Sequence, residues 1–210
     1  MEVNDKLKNI LEEIKCLEEK VASEVHEKKK EFQYNVERGK VVFKKEIREK
    51  HHELKSHLLL YLAKAKLTSY LVAPIIYAQI IPFLFIDLFI TVYQWINFPV
   101  YKIDKVNRQD YIVFDRHKLA YLNTLEKINC LYCSYVNGLI GYAREVASRT
   151  EQYFCPIRHA RKQLGTHGRY YLFTDYGDAE SYKNKLIEIR ESLREHKGSG
   201  ENYPENKQVS

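Results

Sequence analysis

The sequence predicts a mostly α-helical, membrane-associated chain. Three observations carry that prediction. Apolar residues near the N-terminus recur at heptad spacing. The stretch from Leu67 to Tyr101 holds one charge, Asp87. The stretch from Lys118 to Phe154 contains no proline and reads as helix. On this reading residues 1–66 form an amphipathic arm with a basic second half, and 67–101 a membrane-inserted segment. Residues 102–197 form a cytosolic helical domain, and 198–210 a disordered polar tail. The chain has 210 residues, of which 45% are apolar and 30% charged, which excludes a wholly disordered chain. Four cysteines are too few for a disulfide scaffold. The charged first 25 residues lack the apolar run of a secretory leader, so a cytosol-facing location is expected.

In the arm, Asn4 or Asp5 can cap a helix. Leu7, Ile10, Ile14, Leu17 and Val21 then follow at spacings of three and four, a short heptad seam. The next seam positions, Glu24 and Lys28, are charged, and the pattern fades. Looser apolar positions resume at Phe32, Val36, Phe43, Ile47, Leu54 and Leu58, with Gly39 as a weak point. The seam serves either intrachain packing or a coiled coil that makes a homo-oligomer. Charge changes sign along the arm: residues 1–25 carry four Lys against seven acids, residues 26–66 twelve Lys/Arg against six Glu. The basic block suits anionic lipid headgroups, which lie nearer to it than any nucleic acid would. His51, His52 and His57 read as surface residues of this block.

Leu67 to Ile86 is a run of 20 uncharged residues, about the length of a bilayer-crossing helix. Tyr70, Tyr77, Tyr93, Trp95 and Tyr101 are placed as interfacial aromatic residues. Basic residues flank both ends: Lys50, Lys55, Lys64 and Lys66 before, Lys102, Lys105 and Arg108 after. Both flanks therefore favour the same, cytoplasmic side. Pro74 and Pro82 each remove a backbone donor, and Asp87 is costly in lipid without water or a partner. A re-entrant hairpin turning near Pro82–Asp87 reconciles these facts; a single span is the alternative.

Residues 116–160 hold three of the four cysteines. Cys130, Cys133, Cys155 and His159 have the ligand types and local spacings of a zinc or iron site. An unbroken helix would hold Cys133 and Cys155 about 33 Å apart, so one metal requires a break at Asn137-Gly138 or Gly141, or a second chain. Glu126, Cys130, Cys133, Asn137, Arg144, Ser148, Glu151 and Cys155 also form one polar stripe at helical spacing. Such a stripe can line a pocket or a buried polar network, or its small residues can merely allow close packing. Leu122, Leu125, Tyr132, Leu139, Val146 and Tyr153 are the expected core positions. A Cys155–His159 nucleophile and base is a further alternative.

The pattern N-C-x-Y-C-S-Y-x-N-G at Asn129–Gly138, followed by R-T-E-x-Y-x-C-P-I-x-H-A at Arg149–Ala160, resembles a group of bacterial membrane-associated proteins of uncharacterised function. The likeness extends from about Pro82 to Tyr182, omits the arm, and implies no activity. Further along, Gly165–Gly168 reads as a turn, Tyr170–Phe173 as a short strand, and Asp178 as the cap of a helix through Leu186, Ile189 and Leu193. The sequence has no P-loop, dinucleotide-binding glycine pattern, HExxH or nucleophile elbow. It thus predicts a membrane-anchored metal-binding or redox protein. A membrane scaffold and a lipid-proximal enzyme using the polar stripe are the alternatives.

Overall fold

The structure, a computed structural model, describes residues 2–31, 34–37, 40–43, 45–55, 57–63 and 66–195. The chain is mostly helical and divides into two compact units. Among the described residues the first lies within 2–57 and 118–123, the second within 58–117 and 124–195.

In the first unit, helix α1 (Glu2–Glu31) carries Ile10, Ile14, Leu17 and Val21 as an exposed stripe, joined by Val25. Of the looser apolar positions, Ile47 and Leu58 are helical, Phe32, like Gly39, lies outside the described residues, and Val36 and Phe43 are not helical. Strands β1 (Tyr34–Glu37) and β2 (Lys40–Phe43) form an antiparallel hairpin there instead, pairing Tyr34 with Phe43 and Val36 with Val41. Val36, Val41, Val42 and Phe43 are β-branched or aromatic, types that fit a pleated surface better than a helix. Helix α2 (Lys45–Glu53) follows. His51 lies edge-on between the rings of Phe43 and Tyr121, at 5.4 and 5.2 Å.

The second unit begins with the short helix α3 (Leu58–Ala63) and then holds the apolar segment as two nearly continuous helices, α4 (Leu67–Ala78) and α5 (Ile80–Tyr101). Together they make a 35-residue helix long and apolar enough to cross a membrane. The joint lies at Gln79, whose backbone stays in the right-handed helical region. Its cause is Pro82: the proline ring crowds the carbonyl four residues back, that of Ala78, and supplies no N–H to it. Pro82 itself sits in the first turn of α5, where a missing N–H costs nothing. The turn expected at Pro82–Asp87 therefore does not form; α5 runs straight through both residues.

The end of α5 is sharp. Lys102 adopts the left-handed conformation (φ 55°), its N–H bonded to the carbonyl of Pro99, and Ile103 N–H donates to the carbonyl of Phe98 at 2.8 Å. This is a Schellman motif with lysine where glycine is usual, closed by the buried pair Phe98 and Ile103. The chain then returns as an extended segment, 102–117, with short 3₁₀ turns at Arg108–Asp110 and near Arg116.

Helix α6 (Thr124–Phe154) runs unbroken for 31 residues. It lies parallel to α5, because contacts advance together along both. Tyr77 meets Asn129 and Tyr132, Asp87 meets Tyr135, Gln94 meets Tyr142, and Tyr101 meets Tyr153 and Phe154. The return segment runs the opposite way between them. The core is built from Phe98, Ile103, Val106, Ile112, Leu139, Tyr142 and Val146, with Leu193 added by helix α7 (Ala179–Glu195). Leu139 and Val146 are expected core positions; Tyr142 is an addition.

Gly138 is the site of closest approach. A Cβ built there would lie 2.5 Å from the Tyr111 carbonyl oxygen and 2.8 Å from Ile112 Cα. The glycine is not a helix break; its missing side chain lets the returning backbone press onto α6. Further on, Tyr170 and Tyr171 lie in a 3₁₀ turn, Gly168–Leu172, not in the expected strand, and Phe173 caps that turn. Asp178 caps α7 as expected, accepting from Ser181 N–H at 3.0 Å, and this bonding holds its carboxyl below the usual range.

Candidate functional site

The sole charge of the apolar segment has a partner. Asp87 Oδ1 accepts from Arg108 Nε at 3.0 Å, and Oδ2 accepts from Arg108 Nη2 at 2.5 Å and from the Tyr135 hydroxyl at 2.9 Å. Thr91 adds a longer contact at 3.4 Å. The Asp87 side chain is 14% exposed and that of Arg108 40%. The bidentate geometry suits a planar guanidinium facing a carboxylate. The hydrogen bonds to Asp87 raise the Arg108 pKa further, so the cation persists. Burial, then the hydrogen bond to Asp87, pushes the Tyr135 phenol up to about 12.

Two turns along α5, the buried Gln94 clamps the return segment. Its Nε2 donates to the Val106 carbonyl at 3.1 Å and to the Tyr142 hydroxyl at 2.8 Å, and its Oε1 accepts from Val106 N–H at 2.7 Å. One side-chain amide thus satisfies both polar groups of a buried residue, as a neighbouring strand would. Gln94 stands beside apolar Trp95 and Ile96, and this polar residue inside an apolar run is the signal that could have found it.

The covered face of the long helix carries Tyr77, Phe83, Asp87, Ile90, Gln94 and Phe98 at spacings of three to six. The opposite face is bare and apolar: Leu84, Leu88, Phe89, Val92, Ile96 and Val100 are all exposed. Tyr77, Tyr93 and Tyr101 turn inward onto α6, so only Tyr70 and Trp95 of the expected interfacial rings are outward. Pro74 lies inside α4.

A second polar cluster joins α6 to the C-terminal segment. Glu145 Oε1 accepts from Arg149 Nε at 2.8 Å and from Arg169 Nη2 at 2.9 Å. Arg169 Nη1 donates to Gln152 Oε1 at 3.1 Å, while Gln152 Nε2 donates to the Ile189 carbonyl and to Ser192 Oγ. Arg149 Nη1 donates to the Asp104 carbonyl at 2.6 Å. Both arginines are over 90% buried, sharing one carboxylate. Glu145, Arg149 and Gln152 share the face of Tyr142 and Val146. None of them is among the expected site residues, and three polar residues interrupting that apolar face were the signal that could have found the network.

The expected polar stripe lies one step around the helix from that network. Cys133 and Asn137 are exposed, and Asn137 bonds back to the Cys133 carbonyl. Arg144 donates to the carbonyls of Gly165 and Thr166, and Glu151 contacts His167 at 2.9 Å. Ser148 is buried and donates to the Glu145 carbonyl, and Glu126 lies partly buried near the start of the helix. Arg144 and Glu151 of the stripe thus hold down the 156–175 segment, Cys133, Asn137 and Cys155 are exposed, and Asn137 alone of the stripe borders a cleft. That open cleft, of about 360 Å³, is bounded by Tyr111, Val113, Asp115, Arg116, Ser134, Asn137 and Gly138, without His or Cys.

The four candidate metal ligands are not brought together. Because α6 is unbroken, Cys130 and Cys133 stay near one end and Cys155 follows the other, about 33 Å from Cys133. His159 stacks on Tyr170. Among the described residues no group of three or more His, Cys, Asp or Glu side chains is placed to hold a metal ion. Comparison of the chain with protein-family models, with curated proteins and with solved structures gave no match.

Proposed function

We propose that this protein is a membrane-anchored scaffold. The Leu67–Tyr101 helix holds it on the bilayer, its soluble parts face the cytoplasm, and the exposed α1 stripe joins it to a second copy. One observation carries the reading. The long helix is apolar and bare along its outer face, while its one charge is turned inward and neutralised by Arg108. An apolar face of that length is expensive in water and favourable in lipid. The bidentate pair removes the main objection to an aspartate beside hydrocarbon. A zinc or iron site in a single chain gains no support from the separated cysteines, and the polar stripe gives only Asn137 to an open cleft.

Flotation with vesicles tests the anchor. The full-length chain should float with vesicles containing anionic lipid and stay bound in high salt, since hydrophobic burial outlasts screened charge. Leu88→Lys with Phe89→Lys should reduce flotation sharply. A wild-type chain that remains soluble and monodisperse without lipid or detergent would overturn the proposal.

A further inference from the structure

The long helix does not stand alone at any depth a bilayer needs. From Tyr77 to Tyr101 its inner face is covered by α6 and by the return segment, a stretch of about 36 Å. Only Leu67 to Tyr77 is free of that cover, about 15 Å, half of a ~30 Å hydrocarbon core. The covering segment is not itself suited to lipid. It holds only short 3₁₀ turns, so its backbone groups cannot all bond internally, and it exposes the charged Asp104, Lys105, Asp110 and Arg116. The segment runs level with α5 from Gln94 back to Asp87: Val106 meets Gln94, Arg108 meets Asp87, and Arg116 meets Ser134, one residue from the Tyr135 that touches Asp87. A span along the bilayer normal would carry this segment through the hydrocarbon.

We propose that the Leu67–Tyr101 helix lies in the plane of the membrane, its bare face sunk into one leaflet and its covered face toward the cytoplasm. The inference rests on the membrane reading above and adds its geometry. It commits to a bilayer with anionic headgroups as occupant, because the exposed lysines Lys66, Lys102 and Lys105 stand at both ends of the apolar face, where headgroups would lie. It also explains why both flanks are basic without a chain reversal. The outward residues Leu71, Leu84, Leu88, Phe89, Trp95 and Val100 would occupy one shallow level along the helix.

The test uses the full-length chain with its four cysteines changed to serine and single cysteines restored. In membranes of expressing cells, Lys66→Cys and Lys102→Cys should both resist an impermeant maleimide from outside and both react in inside-out vesicles. In reconstituted phosphatidylcholine–phosphatidylglycerol vesicles, fluorophores on Leu71→Cys, Leu84→Cys and Val100→Cys should be quenched by shallow lipid nitroxides to within about two-fold of one another. Labelling of one flank alone from outside establishes a span and overturns the in-plane geometry. A label at Leu84 quenched mainly by deep nitroxides, with shallow ends, establishes a hairpin and overturns it equally. A chain found wholly in the soluble fraction, with the same face closed in a dimer, removes the membrane reading itself.

Discussion

Arg108 reaches back 21 residues to grip both oxygens of Asp87, and that pair ties the return segment to the apolar helix. The two partners differ in exposure, so their loss should differ in cost. Arg108→Met leaves the enclosed carboxylate with Tyr135 and Thr91 alone and should cost about 2 kcal/mol, the range of hydrogen bonds to charged groups. Asp87→Asn leaves an arginine that can swing into water and should cost less. Denaturation of both variants in one detergent, with the double variant closing the cycle, measures the difference.

Tyr135 gives the pair a signature at high pH. Its phenol, pushed up to about 12, holds its proton more tightly in the folded state than in the unfolded chain, where it titrates near 10. The stability it contributes is therefore complete below about pH 10 and is lost as pH rises toward about 12. Wild type should lose more stability across that window than Tyr135→Phe. Parallel curves for the two proteins would show that the hydroxyl does not bond to Asp87.

Glu145 is the shared acceptor of two buried arginines. Glu145→Ala strands both cations and should cost about 3–5 kcal/mol, the range for breaking a buried pair. Glu145→Gln keeps an acceptor and should cost less. Chemical denaturation checks the order, and Glu151→Ala, on the more exposed His167 contact, should lie well below both.

Gly138 and Gly141 make a controlled pair on one helix. Alanine favours a helix interior over glycine by about 1 kcal/mol. At Gly138 the added methyl meets backbone at 2.5 Å, so Gly138→Ala should destabilise by about 1–3 kcal/mol despite that gain. At Gly141 it meets only the Tyr111 ring at 3.2 Å, which can tilt. Gly141→Ala should be near neutral. Thermal melts of the two variants decide it.

Lys102 occupies a left-handed position that glycine takes at lower cost. Lys102→Gly should therefore raise stability, by up to about 1 kcal/mol. The same change should weaken binding to anionic vesicles if the lysine meets headgroups. A stabilised variant with unchanged vesicle binding would leave the lysine without a lipid role.

The long helices were readable in advance because their signals are local. A 20-residue uncharged run, a heptad seam and a proline-free stretch each report on neighbours along one helix. The same residues carried the sign of the problem at Asp87, a charge that needed a partner. Which partner could not be read, because Arg108 meets Asp87 only when the chain doubles back between two parallel helices. That return also reversed the reading of Gly138, a helix breaker by propensity and a contact point by packing. Pro82 was read as part of a chain reversal, yet it only interrupts the helix at Gln79 and then sits in the first turn of α5. The cysteines matched metal spacings pairwise, but convergence depends on a bend in α6, and the packed face of Tyr142, Leu139 and Val146 keeps that helix straight. Composition along the chain therefore determined which segments are helical and apolar. Tertiary packing alone decided which faces are covered, because a partner's position depends on contacts between residues far apart in sequence, and periodicity carries no record of them.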